Sequence, residues 1–201
     1  MASQGSRFSG LQPCPRSPTI EAMPARRILQ LGDPLLRAVS EPVARPAEVQ
    51  PLVRDLRATL HEFRHKHGFG RGISAVQIGE PVRVIYVETT ELAAPLINPV
   101  WEWQSTETFR LWDDCFSFPD LLVFLERHVA VRLRYQDLSG QWNTLEARWD
   151  LSELLQHEMD HLDGVLAVDR ALDRNSLATR EEYERRYRVK PGSQTVGQKS
   201  C

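Results

Sequence analysis

No apolar run in these 201 residues approaches the roughly 18 that a bilayer span requires, and no hydrophobic secretory core stands at the N-terminus. A helical membrane anchor and secretion are therefore not expected, and the cytoplasm is the expected location. Cysteine is scarce: Cys14, Cys115 and Cys201 are too few and too scattered for a disulfide framework. A charge excess is also missing, since 25 Lys and Arg against 27 Asp and Glu leave −2, which implies neither DNA nor another polyanion as partner. Arg180, Arg185, Arg186 and Arg188 gather late, but Glu181, Glu182 and Glu184 interleave with them and the segment reads as a solvated helix face. There is no internal repeat. What is present, 41% hydrophobic and 26% charged residues, is the composition of one globular domain with its own core.

The ends differ from the middle. Residues 1–22, rich in Ser, Pro, Gly and Gln, lack periodicity and read as a flexible extension, with Met23 as an alternative start. Residues 190–201 have the same loop-like makeup and read as a disordered tail. Between them, 23–189 forms one domain. Val49, Leu52, Val53, Leu56, Leu60 and Phe63 recur at three and four, which predicts an amphipathic helix over 47–66 that stops at Gly68. Strands are expected over 82–88, in a second stretch that ends at Leu96-Ile97-Asn98-Pro99, over 129–135, and over 142–149 after a turn at 138–140. Asp150 or Ser152 then caps a helix that Gly164 ends, and a last helix covers 176–187. Strands in series flanked by helices argue for an α+β fold with a largely antiparallel sheet.

The chemistry concentrates at His157-Glu158-Met159-Asp160-His161. On a helix, residues i and i+4 share a face, so His157 and His161 can turn ring nitrogens toward one ion while Glu158 serves as general base and then general acid. An open catalytic site generally has three protein ligands, and Cys115, within Trp112-Asp113-Asp114-Cys115-Phe116-Ser117, is the best third candidate. Upstream, Gly70-Arg71-Gly72-Ile73-Ser74-Ala75-Val76-Gln77-Ile78-Gly79 surrounds one amide with glycines and small residues, as expected where backbone approaches a ligand closely; it lacks the lysine and spacing of a phosphate loop.

These three stretches, in this order, resemble the peptide deformylase family, whose motifs are G-x-G-x-A-A-x-Q-x-G, E-G-C-x-S and H-E-x-x-H; the resemblance covers about residues 26–172. Gly32-Asp33-Pro34-Leu35-Leu36-Arg37 and Ile97-Asn98-Pro99 add to it. It implies mixed, mainly antiparallel sheets around a central helix that carries the HExxH motif. It further implies Cys115, His157 and His161 as ligands of one Fe2+, replaceable by Zn2+ or Ni2+, with Glu158 as the acid/base. Gln77 and the Phe116 N–H become oxyanion donors. The implied activity is hydrolysis of the N-formyl group from the N-terminal methionine of nascent proteins; a monomer is the default expectation. The ribosome near its exit tunnel is a further partner, which the acids interleaved in the late Arg-rich helix weaken.

Several positions depart from the family pattern. Asp114 replaces the glycine of E-G-C, and Asp113 and Ser74 are milder exchanges, though a buried Ser74 hydroxyl needs a partner. Leu125 falls where an arginine is common, so a surface ion pair is expected to be missing. Arg71, Gly72, Asp114 and Glu153 are assigned to the substrate pocket. Glu153, one turn before His157, stands at a position that is usually apolar. Either it turns to solvent, where an acid suits the helix dipole, or, with Arg71 as a partner, it reshapes the pocket together with Asp114 so that formyl-methionine is no longer the preferred substrate. The alternatives to formyl-methionine hydrolysis are an amidase for another N-formyl or N-acyl compound and a silent homologue that binds N-termini.

Overall fold

The computed structural model describes residues 25–188. Cys14, Cys201, the alternative start at Met23 and the two terminal extensions lie outside the described residues. Among the described residues, eight strands form two antiparallel sheets: β1 Gly72–Ser74, β2 Val84–Glu88, β3 Ala93–Gln104, β4 Thr108–Asp114, β5 Leu121–His128, β6 Ala130–Gln136, β7 Trp142–Arg148 and β8 Leu177–Thr179. The larger sheet has the order β1-β2-β3-β6-β7 and the smaller β4-β5-β8. Three α-helices accompany them: α1 Gln50–His67, α2 Trp149–Leu162 and α3 Arg180–Arg186. None of the described helices is long and apolar enough to cross a membrane.

The site depends on where α2 lies. It packs against β1, β2, β6 and β7 of the larger sheet and against β5 of the smaller one, and Leu151 through Leu162 are all buried. A helix buried all round must be apolar or must find partners for its polar groups, and α2 divides these tasks by face. Leu151, Leu154, Leu155, Met159 and Leu162 pack on Ile85, Val87, Leu96, Val131 and Leu133. The opposite side of β2 gives Val84 and Tyr86 to a second cluster, where α1 inserts Val53, Leu56, Leu60 and Phe63. This explains the unbroken apolar run of β2: both faces of that strand are covered.

Three local expectations change. The Ile97-Asn98-Pro99 stretch does not end a strand. β3 runs through it with a register shift between Ile97 and Val100, because Pro99 has no N–H for the ladder. Asn98 sits there at φ 50° and bonds to the Val43 backbone in both directions, at 2.7 and 2.8 Å. Neither Asp150 nor Ser152 caps α2, whose N-cap position is Arg148 with no side-chain bond; Ser152 Oγ instead donates to His128 O at 2.8 Å. Residues 177–179 are not helical but add β8 to the edge of β5.

Gly164 ends α2 as expected, at φ +72°, with the chain from Arg37 to Ser40 passing over the helix end and Ser40 N bonded to Leu162 O at 2.8 Å. A Cβ on Gly164 would come within 2.5 Å of Arg37 O. Gly164→Ala combines a left-handed backbone with a backbone clash and is expected to cost roughly 1–3 kcal/mol or more. Urea unfolding of the two proteins measures it.

Candidate metal and catalytic site

The polar face of α2 meets the end of β4. His157 Nδ1 lies 3.0 Å from both carboxylate oxygens of Asp113, the penultimate residue of β4. Asp113 also accepts from Arg127 of β5 at 3.0 Å, and the same guanidinium donates to Asp160 of α2 at 2.6 Å. Arg170 completes the cluster with bonds of 2.6 and 2.5 Å to Asp160. Arg127 is only 3% exposed, so its charge is tolerable only because two carboxylates face it. Burial pushes the Asp113 carboxyl up, but His157 and Arg127 together outweigh it and hold it at about 2.

With Nδ1 engaged by Asp113, His157 is left with Nε2 to offer to an ion. Cys115, just beyond β4 and 1% exposed, brings its Sγ to 3.3 Å from His161 Nε2. Donor atoms of Cys115, His157 and His161 all lie within 4.8 Å of one another. Burial lowers the His161 pKa well below its ordinary value, so that ring is neutral and can donate a lone pair. One thiolate and two imidazoles suit a borderline divalent ion such as Fe2+, Zn2+ or Ni2+ and do not suit Mg2+ or Ca2+, which favour oxygen. The residues therefore fit a metal.

Glu158 is 3% exposed beside this triad, and its Oε2 accepts from Ser74 Oγ at 2.6 Å. The serine hydroxyl thereby has the partner that its burial demands. Burial raises the Glu158 pKa, with the Ser74 bond as a partial offset, which moves it toward the range useful for proton transfer. Glu158 packs closely on Gly72: a Cβ there would stand 3.0 Å from Glu158 Oε1 and push the carboxylate by a few tenths of an ångström. Gln77 has its Oε1 fixed by Ser74 N at 2.9 Å, which aims Nε2 at Cys115 Sγ, 3.7 Å away, and Ser117 Oγ, 3.4 Å away. Phe116 follows the cysteine and stacks on Phe63 with ring centroids 3.8 Å apart.

A cavity of about 430 Å³ opens beside these groups, lined by Gln77, Phe116, His157 and Glu158 together with Arg71, Gly72, Asp114 and Glu153. All four residues assigned to the substrate pocket are thus found there. Glu153 does not turn to solvent. It is 4% exposed, and its Oε2 accepts from Arg71 at 2.5 Å. Asp114 directs its carboxylate to Arg180 at 2.9 Å, so Arg180 leaves the solvated face expected of its helix; Arg185 and Arg186 stay there with Glu182. The Leu125 expectation also changes, since Leu125 is fully buried in the core and no surface exists at that position.

Sequence reasoning missed the Asp113–Arg127–Asp160 cluster. Its only signal was an arginine, with Glu126 and His128 beside it, closely following the apolar run from Leu121 to Leu125.

Two expectations follow. Asp113→Asn removes the carboxylate that fixes the His157 ring and is expected to weaken metal binding roughly 10- to 100-fold, read by competition with a chelator. Burial, then the nearby Asp113 charge, lifts the Glu153 pKa to about 7 despite Arg71. A folded-state pKa above the ordinary 4.5 gives a contribution to stability that is complete below pH 4.5 and lost as pH rises through 7. Glu153→Gln should therefore gain stability relative to the parent between pH 5 and pH 8, measured by urea unfolding at both values.

The sequence profile of the family described as polypeptide deformylase matches residues 25–176. A peptide deformylase of Bartonella tribocorum is 37% identical over 155 residues, covering 73% of this chain and 84% of that protein. A peptide deformylase-like protein of Brucella melitensis is 38% identical over 168 residues, 82% of this chain and 97% of the relative. Among solved structures, the peptide deformylase of Thermotoga maritima superposes with a TM-score of 0.69 at 29% identity, covering 74% of this chain and 99% of that one. The Synechococcus elongatus enzyme in complex with actinonin gives 0.71 at 29% identity, with 88% and 90% covered. The antiparallel α+β architecture, the meeting of Cys115 with the two α2 imidazoles and these likenesses agree: the chain belongs to the peptide deformylase family, hydrolases that remove the N-formyl group from the N-terminal methionine of nascent proteins.

Proposed function

We propose that Cys115, His157 and His161 hold a single divalent ion, Fe2+ in the native protein with Zn2+ or Ni2+ as substitutes, and that Glu158 is the proton carrier of the reaction. The observation that carries this reading is the convergence of the three donor atoms within 4.8 Å beside a buried glutamate. When bound, such an ion lowers the pKa of water and polarises the formyl carbonyl. Glu158 takes a proton from the attacking water and delivers it to the amine nitrogen as the C–N bond breaks, so formate and a free N-terminus result. Gln77 Nε2, held by its bond to Ser74 N, and the Phe116 N–H donate to the oxygen on which negative charge develops. Donors so placed contribute typically about 3 kcal/mol each to the transition state.

Residues 23–189 are taken as one catalytic unit acting as a monomer in the cytoplasm on formylated nascent chains, with the ribosome near its exit tunnel as the natural meeting place. A silent N-terminus-binding homologue is disfavoured because every ligand, Gln77 and Glu158 are retained in one constellation. Glu158→Ala is expected to lower kcat for formate release about 10²- to 10⁴-fold while metal content, measured by elemental analysis, stays unchanged.

A further inference from the structure

The cavity beside Glu158 has an unusual wall for a pocket that receives a methionine side chain. Phe69, Phe116 and Leu154 supply apolar surface, but Arg64, Arg71, Asp114 and Glu153 line the same space. The two partners of the Arg71–Glu153 pair are placed differently: the Arg71 side chain is 43% exposed, the Glu153 side chain 5%. The guanidinium charge is therefore screened by water at the rim, while the carboxylate acts over the drier interior. Arg71 has little left to offer a ligand, because it already donates to Asp150 O at 3.0 Å as well as to Glu153. Glu153 is in the opposite state. A carboxylate offers about four acceptor positions. Oε2 has its bond to Arg71, and no described residue donates to Oε1.

A thioether entering this cavity would displace water from a carboxylate and return no donor, which is costly. A side chain that ends in an N–H group would replace that water bond for bond. Resting on the deformylase reading above, we propose that the Arg71–Glu153 pair is a specificity element. It makes the cavity take a formylated N-terminal residue whose side chain ends in a hydrogen-bond donor, a carboxamide or an ammonium, in preference to formyl-methionine. Arg71 holds the Glu153 carboxylate in place, and Glu153 meets the substrate.

The experiment compares, at a pH above that at which Glu153 titrates, formate release by the metal-loaded protein from formyl-Gln-Ala-Ser, formyl-Lys-Ala-Ser and formyl-Met-Ala-Ser, with Glu158→Ala as control. The expected result is a kcat/KM for the glutamine or lysine peptide about tenfold or more above that for methionine. The same order is expected in the Kd of the deformylated peptides by calorimetry. The double variant Arg71→Ile/Glu153→Ile removes both charges together, leaves no unpaired ion, and should reverse the order toward methionine. Glu153→Gln keeps the shape of the side chain and should abolish the lysine preference while retaining part of the glutamine preference. Methionine equal to or above both polar peptides in the parent protein, or an order that the double variant does not change, overturns the inference and leaves the deformylase reading intact. Absence of Glu158-dependent formate release from all three peptides overturns both.

Discussion

Arg127 is the residue on which the site's geometry depends. It joins the smaller sheet to the central helix by donating to Asp113 on β4 and to Asp160 on α2. Without these two carboxylates the buried guanidinium would be stranded away from water, which is strongly destabilising. The position of β4 relative to α2 is thus set by charge and by hydrogen-bond direction as well as by packing. Cys115 lies two residues beyond Asp113, so the same clamp fixes where the thiolate stands relative to the two imidazoles. The hydrogen bonds of Asp113 also decide which nitrogen His157 has left to offer.

The groups around the triad divide between holding and reacting. Ser74 and Gln77 bind each other through backbone and amide, and each then aims one group inward, the hydroxyl at Glu158 and the amide nitrogen toward Cys115. Arg64 donates to Gly70 O at 3.0 Å and to Glu88 at 3.0 Å, which fastens the glycine-rich segment to β2. Gly70 allows this segment to lie against Phe116 at a distance a Cβ would forbid, and at Gly72 a Cβ would crowd the end of the Glu158 side chain. Preorganisation of this kind places donors before the substrate arrives, so little reorganisation is left for the reaction itself.

Much of the fold was legible in the sequence because single-face burial leaves a periodic trace. The α1 pattern at three and four and the alternation in β6 both reflect one buried face and one wet face. The misread places are those where a second interaction overrides the local rule. Asn98-Pro99 reads as a strand end, yet β3 continues past it through a register shift, with the Asn98 amide held by Val43 O and Gln136 Oε1. Ser152 looked like a cap because serine is a frequent one, yet the His128 carbonyl claims its hydroxyl. Residues 177–179 were read as the start of a helix, and strand pairing with β5 took them instead.

The sequence by itself determined the chemistry: His157, Glu158 and His161 on one helix face, a lone central cysteine and a glycine-rich stretch around one glutamine, because residue type and spacing fix which donors share a face. The tertiary structure decided which charges are paired. Glu153 is a buried partner of Arg71, Asp114 is tied to Arg180, and Arg127 bridges two carboxylates, none of which follows from local spacing. The physical reason is that periodicity encodes how a segment faces the core. The partner of a buried charge, 14 to 82 residues away in these pairs, is set by how separate elements pack together.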